Sequence, residues 1–384
     1  MKRQTILNAG KLAVTTVVFS MTAVAATYAS ADQTVLIGHA APLTGGAAHL
    51  GKDNENGARL AVEEINAKGL TIDGQKITLQ LDGQDDAGDP RQATQVAQKL
   101  VDDKVVGVLG HLNSGASIPA SKIYSDAGIV QITTATSPKY TQQGFKTTYR
   151  SDVTDAQQGP ALANYAAKNL HLKKIAVIDD ATAYGQGLAD EFTKTAEALG
   201  MTVVSRDATN DKVVDFRAIL TKIKGENPDG IMFGGMDATL GPLAKQARQL
   251  GINAKIFAGD GSCSVRLPEL AGDASANVVC SQAGAPIDKL PGGKEFEARY
   301  EKRFGEPVQV YAPFTYDGVY IIVDAMKRAN STDPAKILAM MPATDYHGLT
   351  GEITFDAHGE LKHGMISLYD FEGGKKSLLD VVRM

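Results

Sequence analysis

Between Val105 and Tyr140 two strand–turn–helix units follow one another without a break, and that arrangement leaves few folds open. Val105-Val106-Gly107-Val108-Leu109-Gly110 is a short apolar run of the kind buried on both faces of a parallel sheet. The polar turn His111-Leu112-Asn113-Ser114-Gly115 comes next, then a helix over Ala116 to Ala127 that tolerates Pro119 in its first turn. The unit repeats: Gly128 to Ile132 reads as strand, and Thr133-Thr134-Ala135-Thr136-Ser137-Pro138 as a hydroxyl-rich turn. In a parallel sheet both turns lie at the carboxyl ends of neighbouring strands, where open α/β sheets bind ligands. Unpaired N–H groups at the helix starts suit an anion, and Ser114, Thr134 and Thr136 add hydroxyl donors. A small carboxylate fits such a place. The plainer reading is that these hydroxyls only cap helices.

The alternation extends in both directions. Thr34 to Ala40 is an apolar strand closed by the turn Pro42 to Gly46, and a helix near Asn54 to Lys68 aligns Ala58, Ala61, Val62 and Ile65 on one face. Lys76 to Asp82 alternates as a half-exposed strand, and Asp89-Pro90 has the form of an N-cap with Pro at the first helical position. After Tyr149 a second round begins. It runs through helix 161–170, strand 174–179, helix 187–199 and strand 201–205, and continues in the same manner to a strand at 277–281. Helices near Gly293 to Phe304, Thr315 to Asn330 and from Pro334 follow, and three late strands (352–356, 365–371, 378–382) end the chain. Two similar α/β rounds imply two lobes, each a mainly parallel doubly wound sheet flanked by helices, facing one another across a cleft.

Lys2, Arg3 and Lys11 precede the apolar stretch Leu12 to Ala26, and Ala29-Ser30-Ala31 has the small residues of a peptidase site. Residues 1–31 therefore read as a secretory signal peptide cut before Asp32, with no cysteine nearby to carry a lipid. The product is expected to be soluble and outside the cytoplasm. No later segment approaches the roughly 18 apolar residues of a spanning helix, so no membrane insertion is expected. The formal charge of −5 includes those three basic residues and becomes −8 without them; an acidic surface lacking basic runs argues against nucleic acid as a partner. The 353 residues that remain exceed what one core comfortably serves, and no linker separates them, so the two lobes are expected to be built from interleaved segments. Cys263 and Cys280 are the only cysteines. An oxidising compartment favours a disulfide between them; the alternative is two buried thiols out of bonding range.

Most chemical motifs fail on inspection. Gly46 to Lys52 matches a phosphate-binding loop, but Asp53 stands where a magnesium-binding hydroxyl belongs. There is no G-x-G-x-x-G after a strand, no G-x-S-x-G and no H-E-x-x-H. The seven histidines show no metal-ligand spacing, so neither cofactor nor metal is expected, and an exported enzyme lacks a nucleophile–base pair. Asp82, Asp85, Asp86 and Asp89 fit no calcium loop and read as a solvated turn. Two later turns stand out. Asp180 to Gly185 places Tyr184 at a strand end, and Gly259-Asp260-Gly261 presents a carboxylate at another. An acidic wall opposite a carboxylate-binding wall is what an α-amino acid zwitterion requires, although Asp260 could equally be a turn aspartate in solvent.

Several short stretches, in order, resemble the Leu/Ile/Val-binding proteins: Asn66 to Gly69, Asp86 to Pro90, Gly110 to Ser114, Ala135 to Pro138, Ala183 to Gly185, Gln246 to Arg248 and Gly259 to Gly261. The resemblance spans the chain beyond the leader. It implies a type I periplasmic receptor of an ABC importer: two lobes joined by three hinge crossings, residues 32–151 with 282–364 and residues 152–281 with 365–384. By the same resemblance Ser114, Ala135 and Thr136 hold the ligand's carboxylate and part of its ammonium, Tyr184 closes from the second lobe, and Asp260 is the acidic ammonium partner. Leu50 and Met236 stand where relatives often carry aromatics over the side-chain pocket, and Asp260 where they often carry Glu. The cysteine pair of some relatives is replaced by Ala87 and Asn113. The implied role is capture of an amino acid, aliphatic and branched-chain first, for delivery to an inner-membrane permease, with a monomer as the default. The alternative is the same fold with an aromatic acid, an amide or another amino acid.

Overall fold

Strand β1 (Gln33–Ala41) is the axis of a six-stranded sheet that also holds β2 (Leu70–Ile72), β3 (Gln75–Asp85), β4 (Gly107–Gly110), β5 (Val130–Thr133) and β6 (Thr148–Arg150), in the order β2-β3-β1-β4-β5-β6. All of its pairings are parallel except β2 with β3. Helices α1 (Ala48–Lys68), α2 (Pro90–Asp102) and α3 (Ser114–Ala127) make the crossovers. The computed structural model describes residue 1 and residues 32–383, so the signal peptide read in residues 1–31 lies almost wholly outside the described residues.

The second round begins with α4 (Asp155–Asn164), which opens on a reciprocal cap between Thr154 and Gln157. It continues through β7 (Lys174–Asp179), α5 (Ala183–Ala198), β8 (Thr202–Ala208), α6 (Arg217–Glu226), β9 (Gly230–Gly234), α7 (Asp237–Gln249), β10 (Lys255–Ala258), α8 (Leu267–Ala271) and β11 (Val278–Ala283). The chain then returns to the first sheet. Phe296 and Tyr300 of α9 (Gly293–Phe304) and Val319, Ile322 and Met326 of α10 (Ala312–Ala329) share one buried core with Val35 and Ile37 of β1, and α11 (Pro334–Met340) adds Ile337. A small hairpin, β12 (Asp345–Gly348) with β13 (Gly351–Thr354), precedes β14 (Met365–Glu372) and β15 (Lys375–Arg383). These last two complete a seven-stranded sheet in the order β15-β14-β11-β10-β9-β7-β8. The chain therefore returns from the second sheet to the core of the first before it ends in the second.

Three differences from the sequence reading have clear causes. Helix α1 starts at Ala48 rather than near Asn54, because the polar run Asp53-Asn54-Glu55-Asn56 is buried and bonded instead of solvated. Asp53 is the plainest case: its two oxygens accept the N–H groups of Gln309, Val310, Tyr311 and Ala312 and the Tyr300 hydroxyl. A side chain of α1 therefore caps the start of α10. Strands β2, β6 and β12 are only three or four residues long, too short to show a period. The Asp82–Asp89 turn is not wholly solvated either. Asp86 is fully buried, its Oδ2 lies 2.6 Å from His111 Nδ1, and His111 Nε2 lies 3.1 Å from the Tyr124 hydroxyl.

Candidate functional site

The first wall of the site is built by the ends of β4 and β5, which pair in parallel. Gly110 ends β4 at φ +120°, where a Cβ would run into the Ala40 carbonyl, so only glycine lets the chain turn here toward Ser114. The turn is then fixed from below. Ser117 Oγ and Thr133 Oγ1 both donate to the His111 carbonyl, at 2.8 and 2.7 Å, and Thr133 Oγ1 accepts the Ala135 N–H at 2.9 Å. His39 Nε2 lies 2.8 Å from Asn54 Oδ1, and Asn54 Nδ2 donates to Thr134 Oγ1 at 3.0 Å. Ser114, the first residue of α3, accepts the Ser137 N–H at 3.2 Å. Arg150, fully buried, donates to the Ser137 carbonyl and to both oxygens of Glu360. The result is a rigid, donor-rich surface in which the buried Thr136 Oγ1 has no hydrogen-bond partner among the described residues.

The second wall centres on Asp260, in a short turn directly after β10. It is 2 % exposed, and its carboxylate accepts hydrogen bonds from Gln158 Nε2 at 3.1 Å, the Tyr184 hydroxyl at 2.9 Å and the Tyr311 hydroxyl at 2.9 Å. Burial pushes its pKa up, and the three donors pull it back. Two further carboxyls are buried near it, Asp152 and Asp155. Asp152 Oδ1 accepts the Val153 N–H, whereas Asp152 Oδ2 and both oxygens of Asp155 have no partner among the described residues. Burial pushes Asp155 up to about 8, and the Asp260 charge adds to it. Burial likewise raises Asp152 well above the usual carboxylate range, with Asp260 contributing. The acidic wall thus gains stability from an incoming cation.

Residues 34–373 match the family described as periplasmic binding protein. The chain is 37 % identical over 361 residues to Leu/Ile/Val-binding protein homolog 1 of Brucella abortus (strain 2308), covering 93 % of this chain and 96 % of that one. The chain belongs to the periplasmic binding protein family. Its fold superposes on leucine-binding protein LivK of Thermotoga maritima with a TM-score of 0.84, at 28 % identity and covering 91 % of this chain and 98 % of that one. The branched-chain amino acid transporter substrate-binding protein LivJ of Streptococcus pneumoniae, in complex with isoleucine, gives 0.83 at 28 % identity, covering 92 % and 100 %. The architecture is the two-lobed one of type I periplasmic binding proteins.

In this periplasmic binding protein Ser114, Ala135, Thr136, Tyr184, Met236 and Asp260 line one cavity, together with Leu112, Asn113, Thr134 and Tyr311. Its volume of about 10 Å³ is the room that a single water molecule needs, so the lobes are shut on one another. Leu50 is not in the lining. It is fully buried behind it, against Ala41, Leu112, Val310 and Tyr311, with Met236 nearby. Cys263 and Cys280 form a disulfide. Sequence reasoning missed Tyr311, Gln158, Asp155 and Asp152. Gln158 and Asp155 fall before the expected helix start at Ala161, and only the cap Thr154–Gln157 could have moved that start. Tyr311 has no local signal, because the acid it meets is 51 residues away in the chain.

Proposed function

We propose that this protein is an exported receptor that takes a small aliphatic α-amino acid, branched-chain first, between its lobes and delivers it to an ABC permease. The carrying observation is the opposition of the two walls. The start of α3 with Ser114, Thr134 and Thr136 suits a carboxylate, and Asp260 with Asp155 suits an ammonium. The Ala135 N–H is already given to Thr133, so the group that Ala135 offers the ligand is its carbonyl, an acceptor for the ammonium. Leu112, Met236 and the Tyr311 ring, backed by Leu50, supply an apolar lining for an aliphatic side chain. The isoleucine complex of the pneumococcal relative supports this class of ligand.

In this reading residues 32–151 with 282–364 form one lobe and residues 152–281 with 365–384 the other, residues 1–31 direct export to the periplasm, and the protein acts as a monomer without catalysis. The test is calorimetric titration of the mature protein with aliphatic amino acids, aromatic acids and amides. Saturable binding of leucine, isoleucine or valine without turnover is the expected result. Binding confined to aromatic acids or amides overturns the ligand assignment.

A further inference from the structure

Pairing between β10 and β11 ends at Ala258 opposite Cys280, and the turn that carries Asp260 begins one residue later. Past this point the sheet no longer holds the chain. Cys263 closes that turn, its N–H donating to the Asp260 carbonyl at 2.9 Å, and its sulfur is bonded to Cys280, the last paired residue of β11 in that register. The next residue, Ser281, donates to Gln158 Oε1 at 2.7 Å, and Gln158 returns to Asp260 twice: Nε2 to Oδ1 at 3.1 Å, and Oε1 from the Asp260 N–H at 3.3 Å. Asp260, Cys263, Cys280, Ser281 and Gln158 therefore form a closed ring in which the disulfide is the only covalent link between the turn and β11.

We propose that the Cys263–Cys280 disulfide is a positioning element of the ligand site, fixing the Asp260 carboxylate for the ligand's amine; this rests on the amino-acid reading above. Each hydrogen bond in the ring is weak by itself, and the two between Gln158 and Asp260 depend on the turn staying against β11. Both sulfurs are fully buried beside the apolar core of the second lobe, so the link is shielded as well as local. Cutting it lets the turn move while both sheets keep their cores. The ligand then meets an acid that no longer waits at one place.

The experiment is a double-mutant cycle on the mature protein with L-leucine as probe. Cys263→Ser with Cys280→Ser is made in the wild-type and in the Asp260→Asn backgrounds, and amide exchange is followed over residues 258–264. The disulfide variant is expected to weaken leucine binding roughly tenfold in the wild-type background and less than about twofold in the Asp260→Asn background, the signature of coupled residues. Exchange at 258–264 should rise while α1 and α2 stay protected. Equal losses in both backgrounds mean a purely structural staple and overturn the proposal, as does unchanged exchange at the turn. If the serine pair does not fold, Cys263→Ala with Cys280→Ala replaces it, and exchange of reduced wild type decides alone. Should wild type bind no aliphatic amino acid, the functional reading falls, and the exchange comparison still decides whether the disulfide fixes the Asp260 turn.

Discussion

Tyr311, at the start of α10 on the first lobe, donates its hydroxyl to Asp260 Oδ2 on the second, 2.9 Å away. This bond joins the lobes through protein groups alone. It also gives one buried carboxylate oxygen its donor, so it couples closure to the charge that the ligand meets.

Tyr311→Phe keeps the ring against Leu50 and Leu112 and removes only that donor. A hydrogen bond to a charged group contributes about 1.5–3 kcal/mol, so leucine affinity should fall by about one to two powers of ten. Closure should loosen in parallel, because the variant loses a contact made only when the lobes meet. Titration calorimetry gives the first quantity and small-angle scattering of the ligand-free protein the second. Unchanged affinity together with an unchanged radius of gyration refutes the coupling.

The α/β alternation was legible because parallel strands and their crossover helices leave apolar runs and periodic faces in sequence. Asp89-Pro90 did open α2 as read, with Asp89 Oδ1 accepting the Arg91 and Gln92 N–H groups. The turns after β4, β5 and β10 were legible for the same reason, since the ends of parallel strands gather at one edge. The buried polar residues escaped. Asp53 and Asp86 sit in stretches whose polarity reads as solvent exposure, yet each is buried because of a partner far along the chain: Gln309 to Ala312 for Asp53, His111 for Asp86. Composition carries no trace of such pairings. Leu50, which by resemblance stands over the side-chain pocket, is packed behind Leu112 and Tyr311.

Asp53 supports Tyr311 directly, its Oδ2 accepting the Val310, Tyr311 and Ala312 N–H groups at 3.0, 2.6 and 3.0 Å. Asp53→Asn turns one oxygen into a donor facing donors. The cost should be on the order of 2–4 kcal/mol, combining a lost cap with an unsatisfied buried group. Urea denaturation of the ligand-free protein measures it. A loss within about 0.5 kcal/mol, the range of ordinary surface substitutions, contradicts the role.

His49 on α1 and Asp237 at the start of α7 form a second bridge between lobes, Nε2 to Oδ2 at 2.7 Å, and Ser264 Oγ bonds the same oxygen. Neither His49 nor Asp237 lines the cavity, so their contribution to binding must act through closure. His49→Ala should leave the association rate nearly unchanged and speed ligand release about three- to tenfold, since changes at one interface fall mainly on dissociation. Stopped-flow tyrosine fluorescence separates the two rates. A slowed association with unchanged release reverses the assignment.

Asp155 makes binding pH-dependent. Its carboxyl, raised to about 8 by burial, holds a proton at neutral pH in the ligand-free protein. An ammonium arriving beside Thr136 and Asp260 favours the ionised form, so binding should release protons below that pH. Affinity should accordingly rise between about pH 6 and about pH 8 and then level off, because the proton no longer has to be displaced. Stability of the ligand-free protein should run the other way. The unfolded carboxyl releases its proton near 3.8 and the folded one only near 8, so this group's contribution is full at low pH and is lost as pH rises through that window. Asp155→Asn stays neutral throughout. It should lose ligand affinity yet melt a few degrees higher than wild type at about pH 8, a shift that about 1–2 kcal/mol produces in a protein of this size. Calorimetry in buffers of different ionisation enthalpy counts the protons, and paired melts of wild type and variant across the window isolate the group from the other carboxyls. A wild-type proton count of zero at about pH 7, with parallel melting curves for the two proteins, means that Asp155 is already ionised before the ligand arrives.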